Sequence, residues 1–96
     1  MEPSAAAGGV RHNLAASRFE VEADGHLGVA EYELRGGEMV LTHTFVPIEL
    51  RGRGLAEQLV RAALAHASAA QLQVVPACSY VAKFIAAHPE FRPLLS

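Results

Sequence analysis

A mixed α/β (α+β) fold with the element order β-β-β-α-β-α is what this chain predicts, and three observations carry it. The first half alternates apolar and polar residues with a period of two, broken by glycine turns. After Gly54 the period lengthens to that of a helix. Later, a short apolar run closes on Pro76 and a last helical stretch follows.

Arg18 to Ala23 sets the pattern: Phe19, Val21 and Ala23 fall on one face, Arg18, Glu20 and Glu22 on the other, as in a half-buried strand. Asp24-Gly25 is a two-residue hairpin signal, because glycine accepts the positive φ such turns need. The second strand runs from His26 to Arg35, with Ala30, Tyr32 and Leu34 alternating against Glu31, Glu33 and Arg35. Leu27 and Val29 have the opposite parity to Ala30, which points to a bulge or a two-sided strand. Gly36-Gly37 turns the chain into a third strand, Glu38 to Val46, rich in β-branched and large apolar residues. Pro47 ends it, since proline cannot donate to a ladder. These three strands form an antiparallel meander.

From Gly54 onward, Leu55, Leu59 and Ala63 share a stripe with Ala56, Val60, Leu64 and Ala67, while Glu57, Gln58, Arg61 and Ser68 fall largely opposite. That is an amphipathic helix of about four turns. Gln71 to Val75 reads as a short strand reached through this helix, so it pairs parallel to the third strand. Ser79 suits the N-cap of a final helix with Val81, Phe84 and Ile85 on its apolar side, and Pro89 marks its end. Residues 1–12 read as a flexible tail and 13–96 as one domain.

Bulk properties exclude several classes. An apolar fraction of 51% against 19% charged residues is that of a globular chain, not a disordered one. A net charge of −2 supplies no basic field for nucleic acid. Cys78 is the single cysteine, so no disulfide forms within the chain. The first nine residues lack the basic start and apolar run of a signal peptide, and no stretch reaches the roughly 18–20 apolar residues of a membrane span. A cytoplasmic monomer or weak homodimer is the expectation. His12, His26, His66 and His88 show no metal-ligand spacing, and no metal is expected.

Arg51-Gly52-Arg53-Gly54 sits at the mouth of the amphipathic helix. A helix N-terminus carries unsatisfied N–H groups and about half a positive charge. Glycine lets the backbone approach a ligand, and arginine offers bidentate partners to phosphate oxygens. A pyrophosphate cradle fits this pattern; a turn that merely caps the helix, with two solvated arginines, fits it as well. The stretch is not a Walker A loop, and it lacks the third glycine of a dinucleotide fingerprint.

Arg51-Gly52-Arg53-Gly54-Leu55-Ala56 resembles R/Q-x-x-G-x-G/A, the acetyl-CoA pyrophosphate loop of the GCN5-related N-acetyltransferases (GNAT). The context agrees: a long antiparallel strand, the motif, an amphipathic helix, then a parallel strand. The chain looks most like the small, roughly hundred-residue branch, with His43-Thr44 before the loop and Pro76-Ala77-Cys78 before the last helix. The resemblance spans about Phe19 to Leu95 and implies a minimal GNAT-like fold. It also implies that backbone N–H groups from Arg53 to Ala56 hold the pyrophosphate of CoA. Backbone around Thr44, Phe45 and Val46 would pair with the pantetheine arm as an added strand. In longer members two helices separate the first two strands; Asp24-Gly25 stands in their place here, and the usual last two strands have no counterpart before Ser96.

Two further residues are candidates for chemistry. Cys78 precedes a helix N-terminus, where the dipole favours thiolate; it is otherwise a small apolar residue. The resemblance places it near the thioester, either as a nucleophile taking the acetyl group or as the acid that protonates the leaving thiolate. His43 shares a parity with Met39, Leu41 and Phe45, which suits a core histidine; it also suits a general base or an activator of Cys78. Tyr80 is a weaker candidate acid. Glu20, Glu22, Glu31 and Glu33 read as a solvated sheet face that would also attract a cationic amine. The function implied is acetyl-CoA-dependent N-acetyl transfer to an unidentified amine, a small molecule or a protein lysine or N-terminus. A CoA-binding module without turnover and a partner-binding domain are the alternatives.

Overall fold

The computed structural model describes residues 9–96. One five-stranded sheet, in the order β1-β2-β3-β4-β5, carries the fold. Its strands are β1 (Arg11–Asn13), β2 (Arg18–Ala23), β3 (His26–Arg35), β4 (Glu38–Phe45) and β5 (Gln73–Pro76). Helix α1 (Leu55–Ala69) connects β4 to β5, and α2 (Ser79–Ala87) follows β5. Short 3₁₀ turns occupy Ile48–Leu50 and Pro89–Leu94. Strands β1 to β4 pair antiparallel and β5 pairs parallel to β4, as the helical crossover requires.

The expected order is present with one strand added in front. Residues 1–8 of the expected tail lie outside the described residues, but Arg11 and His12 belong to the sheet, opposite Glu20 and Phe19. Three residues are too few to show an alternation, so side chains define this strand. The His12 ring stacks on Phe19 at 4.1 Å, meets His66 edge-on at 4.5 Å, and places Nε2 2.6 Å from the Tyr32 hydroxyl. On the other face Glu20 is buried beneath its own donors. Arg11, Asn13 and Arg18 reach its carboxylate at 2.7, 2.9 and 2.6 Å. Their hydrogen bonds, Arg18 first, outweigh burial and lower its pKa to about 2. Glu20 therefore departs from the solvated row expected of the strand glutamates, whereas Glu22 and Glu33 are exposed.

Cross-strand partners share a face, which sorts the sheet into two sides. Phe19, Val21, Ala30, Tyr32, Met39 and Leu41 form one core with Leu59, Val60, Ala63, Leu64 and Ala67 of α1. Val81, Phe84 and Ile85 of α2 join the same core. At Gly28 an added Cβ would stand 3.3 Å from Val21 Cγ1 and 3.5 Å from Leu59 Cδ1, so glycine is what lets α1 pass close over β3. Val29 and Val40 are buried on the opposite side, outside that core.

The β2–β3 pairing is regular across Leu27 to Ala30, so the parity change expected there is simply a strand with apolar residues on both faces. A bulge sits in β4 instead. Glu31 pairs with His43 and Tyr32 with Leu41, leaving Thr42 unpaired, its Oγ1 3.3 Å from the Glu31 carbonyl. One extra residue reverses the parity beyond it. His43 and Phe45 thus leave the face of Met39 and Leu41, and Thr44 takes their place on it.

Two helix ends also differ from expectation. Strand β5 starts at Gln73 because α1 closes in a Schellman turn: Gln71 takes φ 59°, and the Leu72 N–H reaches the Ala67 carbonyl at 2.8 Å. Cys78, extended at φ −83° and ψ 131°, is the N-cap of α2, and Ser79 is the first helical residue. Beyond α2, Leu95 bridges Val74 in parallel, and the Ser96 N–H donates to the Val74 carbonyl at 3.0 Å on the outer edge of β5. No helix among the described residues is long and apolar enough to cross a membrane.

Candidate functional site

The site begins where β4 stops. Leu50, fully buried, anchors the link between β4 and α1, and the Arg51 N–H closes the 3₁₀ turn on the Ile48 carbonyl at 3.2 Å. Gly52 and Gly54 then adopt φ 85° and 74°, left-handed values that a side chain disfavours. Gly54 is the N-cap of α1. A Cβ built on either glycine meets nothing within 4 Å, so the space above both is open. The first hydrogen bond of α1 runs from the Gln58 N–H to the Gly54 carbonyl at 3.1 Å. Among the described residues, the N–H groups from Gly52 to Glu57 donate to no backbone carbonyl. Loop and helix end therefore present free donors and the positive end of a helix dipole to one open space.

That space is a cleft of about 180 Å³. Arg51, Gly52, Gly54, Leu55 and Ala56 line it, together with Val46, Glu57 and Tyr80. Of the six loop residues expected to form a cradle, five are there; Arg53 is the exception, because its guanidinium pairs with Asp24 at 2.7 Å. Arg51 Nε donates to the Val46 carbonyl at 3.0 Å and ties the loop to the end of β4. The β4–β5 pairing reaches only Leu41 and Pro76, followed by the Cys78 N–H on the Leu41 carbonyl at 2.9 Å. Thr42 to Phe45 consequently has no strand partner on the β5 side, which leaves a β4 edge for an extended ligand arm.

Cys78 does not line the cleft but stands two residues before Tyr80, which does. Its Sγ approaches Thr44 Oγ1 at 3.6 Å, and Thr44 stands two residues, ~6.6 Å of extended strand, from the cleft residue Val46. Burial pushes the thiol pKa up. The Val81 N–H, the Thr44 hydroxyl and the Tyr80 N–H pull the other way and prevail, so it falls below its ordinary value. Tyr80, on the first turn of α2, keeps its proton more firmly than a free phenol because of burial and then the nearby Glu57 carboxylate.

His43 is not brought to Cys78. The bulge at Thr42 turns it to the opposite side, where it is exposed and stacks on Phe45 at 6.4 Å between ring centroids. Neither the core histidine nor the activator of Cys78 read from its parity is present; Thr44 holds the contact with the thiol. The contact of Asp24 with Arg53 carries no signature along the chain, because that pairing joins residues 29 apart. Among the described residues, no three of His, Cys, Asp and Glu gather as metal ligands.

Comparison with known proteins shows the family. The sequence pattern of the GCN5-related N-acetyl-transferases matches residues 18–94. Protein NATD1 of Bos taurus is 36% identical over 83 residues, covering 83% of this chain and 74% of the relative. Protein NATD1 of Homo sapiens is 35% identical with the same coverage. A GCN5-like protein of Staphylococcus aureus, solved by NMR, superposes with a TM-score of 0.73 over 91% of this chain and 86% of its own, at 21% identity, and so shares the fold. With the matched pattern running from β2 through α2, the chain belongs to the GCN5-related N-acetyltransferase family and is an acyltransferase.

Proposed function

We propose that this chain transfers an acetyl group from acetyl-CoA to an amine. One observation carries the reading: a row of free N–H groups, two left-handed glycines and an open cleft meet at the N-terminus of α1. The fit to a pyrophosphate rests on space as well as charge, since neither glycine would place a Cβ against protein. Backbone from Gly52 to Ala56 would hold the phosphates, and the unpaired β4 edge from Thr42 to Phe45 would hold the pantetheine arm. When bound, acetyl-CoA supplies an activated thioester. The chain's own residues orient it and manage one proton: Thr44 positions the Cys78 thiol, whose pKa lies below its ordinary value, so Sγ gives up its proton more readily than a free thiol. Tyr80 keeps its phenol protonated at the cleft wall.

A second reading, a module that holds CoA without turnover, is favoured by the position of His43, because the one basic ring expected beside Cys78 faces away from it. Turnover separates the two. With acetyl-CoA and a panel of small amines, peptide lysines and peptide N-termini, thiol release that depends on the amine supports transfer. CoA binding with no release above background supports the module.

A further inference from the structure

Arg53 does not line the cleft, although Gly52 and Gly54 on either side of it do. Its Nη2 lies 2.7 Å from Oδ2 of Asp24, at the tip of the β2–β3 hairpin. Beside this pair, His26 Nδ1 approaches Glu49 Oε1 at 3.8 Å. The Arg53–Asp24 pair therefore ties the hairpin tip to the segment between β4 and α1. We propose that Asp24 is a carboxylate gate on the anion cradle. It holds Arg53 out of the cleft in the free protein and yields it to a phosphate of the bound CoA thioester. This rests on the reading that the cleft takes the pyrophosphate of CoA.

Exposure makes the exchange feasible. The side chains of Arg53 and Asp24 are 47% and 66% exposed, and an exposed pair of this kind contributes little in water. The pyrophosphate of CoA brings two negative charges against the carboxylate's one, and free N–H groups of the loop hold it next to the guanidinium. Arg53 thus has a better partner only when a polyanion occupies the cradle. Until then the negative charge of the Asp24 carboxylate occupies the arginine. Removing that charge should strengthen binding, and only through Arg53.

Asp24→Asn is a clean substitution, because asparagine tolerates the left-handed φ of 52° at this turn. CoA titration by calorimetry, at one low salt concentration, compares the wild type, Asp24→Asn, Arg53→Gln and the double variant. The gate predicts that Asp24→Asn binds CoA about two- to fivefold more tightly, within what an exposed pair contributes. It also predicts no gain from the same change in the Arg53→Gln background. Unchanged or weaker binding by Asp24→Asn overturns the gate and leaves the cradle standing. An equal gain in both backgrounds also overturns it, because the effect is then one of bulk charge. If the wild type binds no CoA, the cradle fails and the gate fails with it.

Discussion

Cys78 shows how a single residue is tuned by its neighbours. Burial alone would make its thiol less acidic, yet the start of α2 and the Thr44 hydroxyl reverse the sign. The lowered pKa enlarges the thiolate fraction at neutral pH, and thiolate is the reactive form. Iodoacetamide should therefore alkylate Cys78 faster than a free cysteine at pH 7, with the rate falling as pH drops through the lowered pKa. Bound acetyl-CoA should protect it. Cys78→Ala should keep CoA binding and lose most acetyl transfer; full turnover by that variant would make Cys78 a packing residue. Its place ahead of a helix was legible from Pro76-Ala77-Cys78. Thr44 as its partner was not, because the two residues lie on different elements and 34 positions apart.

At the scale of elements, β1 and the bulge in β4 are what the sequence left unread. A strand of three residues has no period to detect, and its hold comes from Glu20 and the His12 cluster. A bulge inserts one residue without changing composition, so the parity of Met39 and Leu41 was carried through to His43 and Phe45. Alternation did identify β2, β3 and most of β4, and the helical period identified α1, because those runs are long enough to repeat. The Glu20 cluster gives this region a pH dependence. Its folded pKa of about 2 lies below the unfolded 4.5, so its stabilisation is present above 4.5 and is lost as pH falls toward 2. Glu20→Gln should cost on the order of 2 kcal/mol at pH 7, allowing for screening at a site near the surface. It should also flatten the stability profile between those values. Urea unfolding at a series of pH values checks this; identical profiles would mean the cluster contributes nothing.

For the molecule as a whole, the sheet and α1 are a frame that holds one loop in a left-handed path. The frame was legible from periodicity, and the loop from its glycines and the helix after it. The direction of Arg53 was not, because it depends on a hairpin tip that only the folded sheet brings near. A polyanion held at an exposed cationic loop should bind less tightly as ionic strength rises, since such charges are screened beyond about 8–10 Å. A flat salt response would mean that the arginines touch no phosphate. The cradle itself is tested most directly at Gly54. A valine there is strained at φ 74° and projects into the open space over the loop. CoA should be titrated calorimetrically into the wild type and into Gly54→Val, with circular dichroism confirming that the variant is folded. Measurable binding by the wild type and an affinity at least about tenfold lower in the variant, a loss of about 1.4 kcal/mol, is the predicted result. Equal affinity in the folded variant, or no binding by the wild type, would contradict the cradle.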